Sequence, residues 1–161
     1  MTEGVTNIDI KMRDSMKVLV VYDTMYGNTE LIARTVGGAI AGDVDVVRAN
    51  QANPAELATI DLLVVGCPTC GGRPTPTMQE FLDKISEANI KGVKVASFDT
   101  RYTGRFVKMF GFAADKIAEG LKARGAIMVA PPEAFYVTGK KGPLRNGDLE
   151  RAASWAKNIT R

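Results

Sequence analysis

Two stretches of this chain, Val18-Leu19-Val20-Val21-Tyr22 and Leu62-Leu63-Val64-Val65-Gly66-Cys67, are near-continuous apolar runs of β-type residues. Such runs indicate strands covered on both faces, as in a parallel sheet. Three more strand-like runs follow the same reading, at Val44–Arg48, Val93–Phe98 and Ala126–Ala130. Helical patterns lie between them at Glu30–Ala41, Thr77–Ala88, Phe106–Ala123 and Gly147–Ile159, and residues 51 to 60 read as a short connector with a weak turn after Pro54. In the last helix Leu149, Ala152, Ala153, Ala156 and Ile159 recur at three- and four-residue spacing, the stripe of a helix docked on a sheet. Lys122 and Arg124 followed by Gly125 close the third helix, with cations in its last turn and glycine beyond. Five strands alternating with helices predict a three-layer α/β sandwich with right-handed crossovers.

The chain has 161 residues, enough for one domain with a sizeable core. Residues 1 to 15 read as a flexible N-terminal extension and residues 16 to 161 as the domain. A hydrophobic share of 45%, a charged share of 24% and a mean hydropathy of −0.04 are ordinary for a globular protein. No apolar run reaches the roughly 20 residues of a membrane span, and the start of the chain lacks a signal-peptide core, so a cytoplasmic location is expected. Histidine is absent, which excludes histidine-dependent triads, His-ligated zinc and imidazole acid–base chemistry. The two cysteines, Cys67 and Cys70, are too few for a disulfide framework and make a poor metal site alone. The net charge of +3 and a pI near 8.9 come without a lysine or arginine run dense enough for a nucleic-acid arm.

In a doubly wound sheet ligands bind outside the carboxyl ends of the strands, where strand order reverses. The first strand runs directly into Thr24-Met25-Tyr26-Gly27-Asn28-Thr29 and then into a helix. Unpaired N–H groups and the dipole at a helix start attract an anion, so a phosphate fits there without a cationic side chain. Gly27 permits close approach, and Thr24, Asn28 and Thr29 offer side-chain donors. A plain alternative is that Thr and Asn cap the helix and Gly turns the chain. A second loop, Cys67-Pro68-Thr69-Cys70-Gly71-Gly72-Arg73-Pro74-Thr75-Pro76, combines free and stiffened peptides. The third, Ser97 to Arg105, brings together aromatic, carboxylate and hydroxyl groups. Parallel strands place all three loops on one edge, where they can form a single pocket with a phosphate end and a planar slot.

These loops resemble those of the flavodoxin family. Thr24 to Thr29 is similar to its phosphate loop, Gly66 to Pro76 to its second flavin loop and Phe98 to Tyr102 to its third, and the likeness continues through Gly142-Pro143-Leu144 and Gly147 to Ala152. The stretch Tyr22 to Glu30 is also similar to the flavodoxin-like domain of flavo-diiron proteins, whose histidine-bearing metal domain has no counterpart in this chain. The resemblance implies a five-stranded parallel sheet in the order 2-1-3-4-5 with FMN at the switch point, an arrangement known for the family. It implies that Thr24, Met25, Tyr26, Gly27, Asn28 and Thr29 hold the phosphate end. Pro68, Thr69, Cys70, Gly71 and Gly72 would line one side of the isoalloxazine, and Asp99, Thr100, Arg101 and Tyr102 the other, with Tyr102 stacked on the ring. Gly71-Gly72 would ease the peptide flip that accompanies semiquinone formation in the family.

The implied function is low-potential electron transfer, the flavin cycling through semiquinone and hydroquinone, with no residue needed as a catalytic acid or base. Two departures stand out. Many flavodoxins carry an aromatic residue where Cys70 stands, and familiar ones are acidic, whereas Arg73, Arg101, Arg105 and Lys108 fall in or just after the flavin loops. These predict a basic rim for acidic redox proteins or for nicotinamide phosphates, with solvated loop cations as the plain alternative. The expected assembly is a monomer or weak homo-oligomer. A small FMN-dependent NAD(P)H quinone or flavin reductase is the alternative function, and a module without flavin, with Cys67 and Cys70 as a dithiol, is another. Cys67 reads as a buried strand residue, which favours packing over dithiol chemistry. Phe135 to Gly142 reads as a long loop whose Lys140 and Lys141 the sequence does not place.

Overall fold

The computed structural model describes residues 15–102 and 111–161. Five parallel strands form its sheet: β1 (Lys17–Tyr22), β2 (Asp43–Arg48), β3 (Leu62–Pro68), β4 (Lys94–Tyr102) and β5 (Ile127–Met128), in the order β2-β1-β3-β4-β5. A further segment, β6 (Glu133–Val137), pairs parallel with the far half of β4. The helices are α1 (Asn28–Ala39), α2 (Pro76–Asp83), α3 (Glu87–Ile90), α4 (Ala113–Ala123) and α5 (Asp148–Ile159). Two 3₁₀ turns, Ala49–Gln51 and Pro54–Thr59, fill the stretch read as a connector.

The continuous apolar runs are explained by cores on both faces of the sheet. Val18, Val20 and Tyr22 of β1 and Leu62 and Val64 of β3 pack with Ile32 and Val36 of α1 and Trp155 and Ile159 of α5. Leu19 and Val21 of β1 and Leu63, Val65 and Cys67 of β3 face the other way. They meet Met78 and Phe81 of α2, Ile90 of α3 and Ile117 and Leu121 of α4. Alternate strand residues therefore point to opposite but equally dry layers.

The strand order is the one expected, and four local expectations are corrected. The helix read as Thr77–Ala88 is broken in two: α2 ends at Asp83 with Lys84 as its cap, and Ser86 opens α3, its hydroxyl taking the N–H of Asn89 while the Asn89 side chain takes the N–H of Ser86. The segment Asp99 to Tyr102, read as loop, continues β4. Phe98 is wholly buried, edge-on to Phe135 at 5.8 Å and to Trp155 at 5.9 Å, and a Cβ on Gly66 would stand 2.0 Å from its ring tip. The fifth strand, read as Ala126–Ala130, is split. Between the pairs Met128 with Val95 and Glu133 with Phe98 the edge chain spends five residues against three on β4. Pro131 and Pro132 lie in that excess and have no N–H to give the ladder. Phe135 to Val137 accordingly belongs to a strand. The extension at residues 1 to 14, and Phe106 to Phe110 of the third helix, lie outside the described residues.

Candidate functional site

The carboxyl ends of β1, β3 and β4 open onto a cavity of about 320 Å³, at the point where strand order reverses. Its walls are Thr24, Met25, Tyr26, Asn28 and Thr29 from the first loop, Pro68, Thr69, Cys70 and Gly71 from the second, Thr100 and Tyr102 from β4, Val137 at the end of β6 and Lys140 beyond it.

The first loop turns at Gly27, whose φ of +94° only glycine adopts without strain, and α1 begins there with no side-chain cap. Thr24 Oγ1 instead accepts the N–H of Gly27 at 2.9 Å, which closes the loop on itself. Thr24 and Asn28 therefore do not serve as the helix cap that the plain alternative required. The leading N–H groups of α1 and its dipole are left to an anion. Thr29 is buried, and its hydroxyl meets that of Thr100 at 2.7 Å, so the phosphate end is tied to β4. Asn28 is also committed: its amide nitrogen donates to the carbonyl of Lys141 at 3.1 Å.

Behind this loop stands a polar brace that sequence reasoning missed. The buried Asp23 carboxylate accepts from the Thr75 hydroxyl and from Arg48 Nε at 3.2 Å, and Arg48 Nη2 donates to the Thr24 carbonyl at 2.8 Å. Thr75 in turn caps α2 by accepting the N–H of Met78. One carboxylate thus joins the end of β2, the first loop and the end of the second. The polar residue directly after the apolar run of β1 was the available signal.

In the second loop Cys70 and Arg73 exchange backbone hydrogen bonds, Cys70 N–H to Arg73 O at 2.8 Å and Arg73 N–H to Cys70 O at 3.0 Å. Gly71 and Gly72 between them have φ of +56° and +79°, the left-handed pair of a type I′ turn. Thr69 fixes the base: its N–H donates to Thr100 O and its hydroxyl accepts the N–H of Ala113, both at 3.0 Å. Cys70 Sγ stands 3.3 Å from Met25 Sδ, so sulfur from two loops meets at the cavity wall. Burial, and secondarily the Asp23 charge, push the Cys70 thiol above its ordinary range. Cys67 is fully buried in the core and burial pushes its thiol up strongly, so it is held neutral.

At the other end Tyr102 leaves 49% of its surface exposed and supplies an aromatic face. Two neighbours are arranged otherwise than the sequence suggested. Asp99 is wholly buried and does not line the cavity. It receives Arg101 through two hydrogen bonds of 2.7 Å and the N–H of Ala114 at 3.0 Å. The Arg101 guanidinium, 3.4 Å above the Phe112 ring and with its side chain only 12% exposed, is withdrawn from any rim. The structure thus gathers Thr24, Met25, Tyr26, Asn28, Thr29, Pro68, Thr69, Cys70, Gly71, Thr100 and Tyr102 into one wall. It leaves Gly27, Gly72, Asp99 and Arg101 as supports behind it. Val137 and Lys140 join from the stretch the sequence left unplaced. Arg105 and Lys108 lie outside the described residues.

An uncapped helix start at one end and an exposed aromatic face at the other, in the switch-point crevice of a doubly wound sheet, define a binder of planar, phosphate-bearing ligands. FMN has both parts, and the groups present fit it. Residues 20–155 match the profile of the flavodoxin family. The chain is 32% identical over 153 residues to a flavodoxin of Maridesulfovibrio salexigens, covering 89% of this chain and 96% of that protein. It is 31% identical over 138 residues to a flavodoxin of Synechocystis sp., covering 81% and 79%. The fold matches the crystal structure of oxidised flavodoxin 1 from Bacillus cereus with a TM-score of 0.73 at 22% identity, over 89% of this chain and 97% of that one. The chain belongs to the flavodoxin family and is an FMN-binding electron-transfer protein. Among the described residues no helix is long and apolar enough to cross a membrane.

Proposed function

We propose that FMN sits with its phosphate on the start of α1 and its ring between the Cys70–Arg73 turn and Tyr102, and that electrons pass at the edge of the ring left open by these loops. The observation that carries this assignment is the single cavity whose wall includes both Thr29, in the first turn of the uncapped α1, and the exposed face of Tyr102. Bound FMN supplies the one- and two-electron chemistry. The chain's own part is to bind, orient and shield. Thr24, Tyr26, Gly27, Asn28 and Thr29 form the phosphate end, Thr69, Cys70, Gly71 and Gly72 shape one wall of the ring slot, and Asp99 and Arg101 support the strand that presents Tyr102. FMN titration of the Tyr102→Ala and Thr29→Val variants tests the assignment. Each should weaken binding at its own end of the cofactor, and wild-type affinity in both would refute it.

The partner we infer is an acidic redox protein in the cytoplasm. Arg73 is exposed at the tip of the second loop, beside the ring slot, and Lys140 and Lys141 are exposed at the opposite end of the cavity. The free state of Cys67 and Cys70 suits a reducing compartment. Charges so placed accelerate encounter with an acidic surface at low ionic strength. Arg73→Glu should slow electron exchange with an acidic one-electron protein at low salt and leave the rate at high salt little changed. Equal rates for both proteins at low salt would remove Arg73 from the docking face.

A further inference from the structure

We propose that the turn after β6 is a strap over the phosphate end, and that its Lys140 makes this site select phosphorylated flavin over flavin without phosphate. The inference rests on the FMN assignment above and adds a cation to a site that the first loop builds from neutral groups.

The strap is a defined structure. Val137 and Leu144 form an antiparallel bridge at its base, Thr138 N–H donates to Pro143 O at 2.8 Å, and Gly142 N–H closes the tip on Gly139 O at 3.1 Å. Below the base, Asp148 at the start of α5 accepts the N–H of Tyr136 at 2.6 Å and the guanidinium of Arg145 at 3.0 Å. The tip is seated on the first loop. Asn28 donates to Lys141 O at 3.1 Å, and a Cβ on Gly142, at φ of +107°, would lie 2.7 Å from Asn28 Oδ1. Gly142 is needed for this close approach as well as for its backbone conformation. The Lys141 ammonium stands 5.9 Å over the Tyr26 ring, a second tie to the same loop.

With Lys141 turned to Tyr26, Lys140 is left lining the cavity that Thr24, Asn28 and Thr29 also line. Those three and the start of α1 offer N–H and hydroxyl donors without net charge. The dianionic phosphate of FMN gains from an ammonium at its mouth, whereas riboflavin, which shares the ring and ribityl chain, does not. The strap therefore contributes to the phosphate end alone. Because Lys140 is exposed, its effect is moderate and is screened by salt.

The test is to titrate apoprotein with FMN and, separately, with riboflavin at low and high ionic strength, for the wild type and for Lys140→Gln and Lys140→Arg. The expected result is that Lys140→Gln weakens FMN about three- to tenfold at low salt, with a smaller loss at high salt, and leaves riboflavin unchanged. Lys140→Arg should restore FMN affinity to within about twofold, since it keeps the charge. An unchanged FMN-to-riboflavin affinity ratio in Lys140→Gln, or an equal loss for both ligands, would overturn the strap while leaving the FMN site in place. Failure of the wild type to bind either flavin would remove the FMN site, and the strap with it.

Discussion

The hydroxyls of Thr29 and Thr100 stand 2.7 Å apart and buried, one at the start of α1 and the other near the end of β4. This hydrogen bond joins the phosphate end of the cavity to the strand that carries Tyr102. Replacing either residue by Val leaves the other hydroxyl buried without this partner, at a cost of about 1–3 kcal/mol. Thr29→Val and Thr100→Val should each lower the urea midpoint of the apoprotein, and the double variant should lose less than the sum of the two. Additive losses in the double-mutant cycle would show that the hydroxyls act independently.

Arg48 reaches the site only through Asp23 and the Thr24 carbonyl, and with 45% of its side chain exposed it adds little to the core. Arg48→Met should raise the FMN Kd about fivefold, equivalent to about 1 kcal/mol, with a small change in melting temperature. Asp23→Ala should do more, because Thr75 and Arg48 lose their shared acceptor, and it should lower both affinity and stability. The reverse ranking in FMN titrations would place the brace outside the binding site.

Tyr102 and Cys67 provide a contrast between site and core. Tyr102→Ala removes the exposed aromatic face and should weaken FMN tenfold or more, about 1.4 kcal/mol, with modest effect on folding. Cys67→Ala leaves a small void in a dry layer and should lower stability by about 1 kcal/mol while FMN affinity stays within about twofold. Comparable effects of the two on affinity would contradict the ring placement.

Burial raises the Cys67 thiol above its ordinary value of 9.0, so the folded protein retains a proton that the unfolded chain releases. The associated stability is complete below about pH 9 and is lost progressively as pH rises above it. Melting temperatures measured between pH 8 and pH 10.5 should fall more steeply for the wild type than for Cys67→Ala. Parallel curves would show that the thiol contributes nothing to the alkaline decline.

The architecture was legible because apolar runs such as Leu62 to Cys67 have only one economical burial, inside a parallel sheet with helices on both faces. The first two cavity loops were legible for a related reason, since Gly27 and the Gly71-Gly72 pair mark backbone turns that few other residues allow. The remainder depended on contacts distant in sequence. Asp99 and Arg101 have the composition of a polar loop, yet mutual pairing and Ala114 draw both inward. Lys140 belongs to the cavity only because the strap folds back more than 100 residues to Asn28. The split of the edge strand was partly readable, in that Pro131-Pro132 announced a break, but the return of Glu133 to Phe98 was set by the packing of Phe135 on Phe98 and Trp155.

Absorbance and fluorescence titration of the apoprotein with FMN tests whether the cavity between the start of α1 and Tyr102 holds the cofactor. Binding should saturate at one FMN per chain, with flavin fluorescence quenched against Tyr102 and partly restored in Tyr102→Ala. Absence of saturable binding, or quenching that is identical in the wild type and Tyr102→Ala, would contradict this placement of FMN.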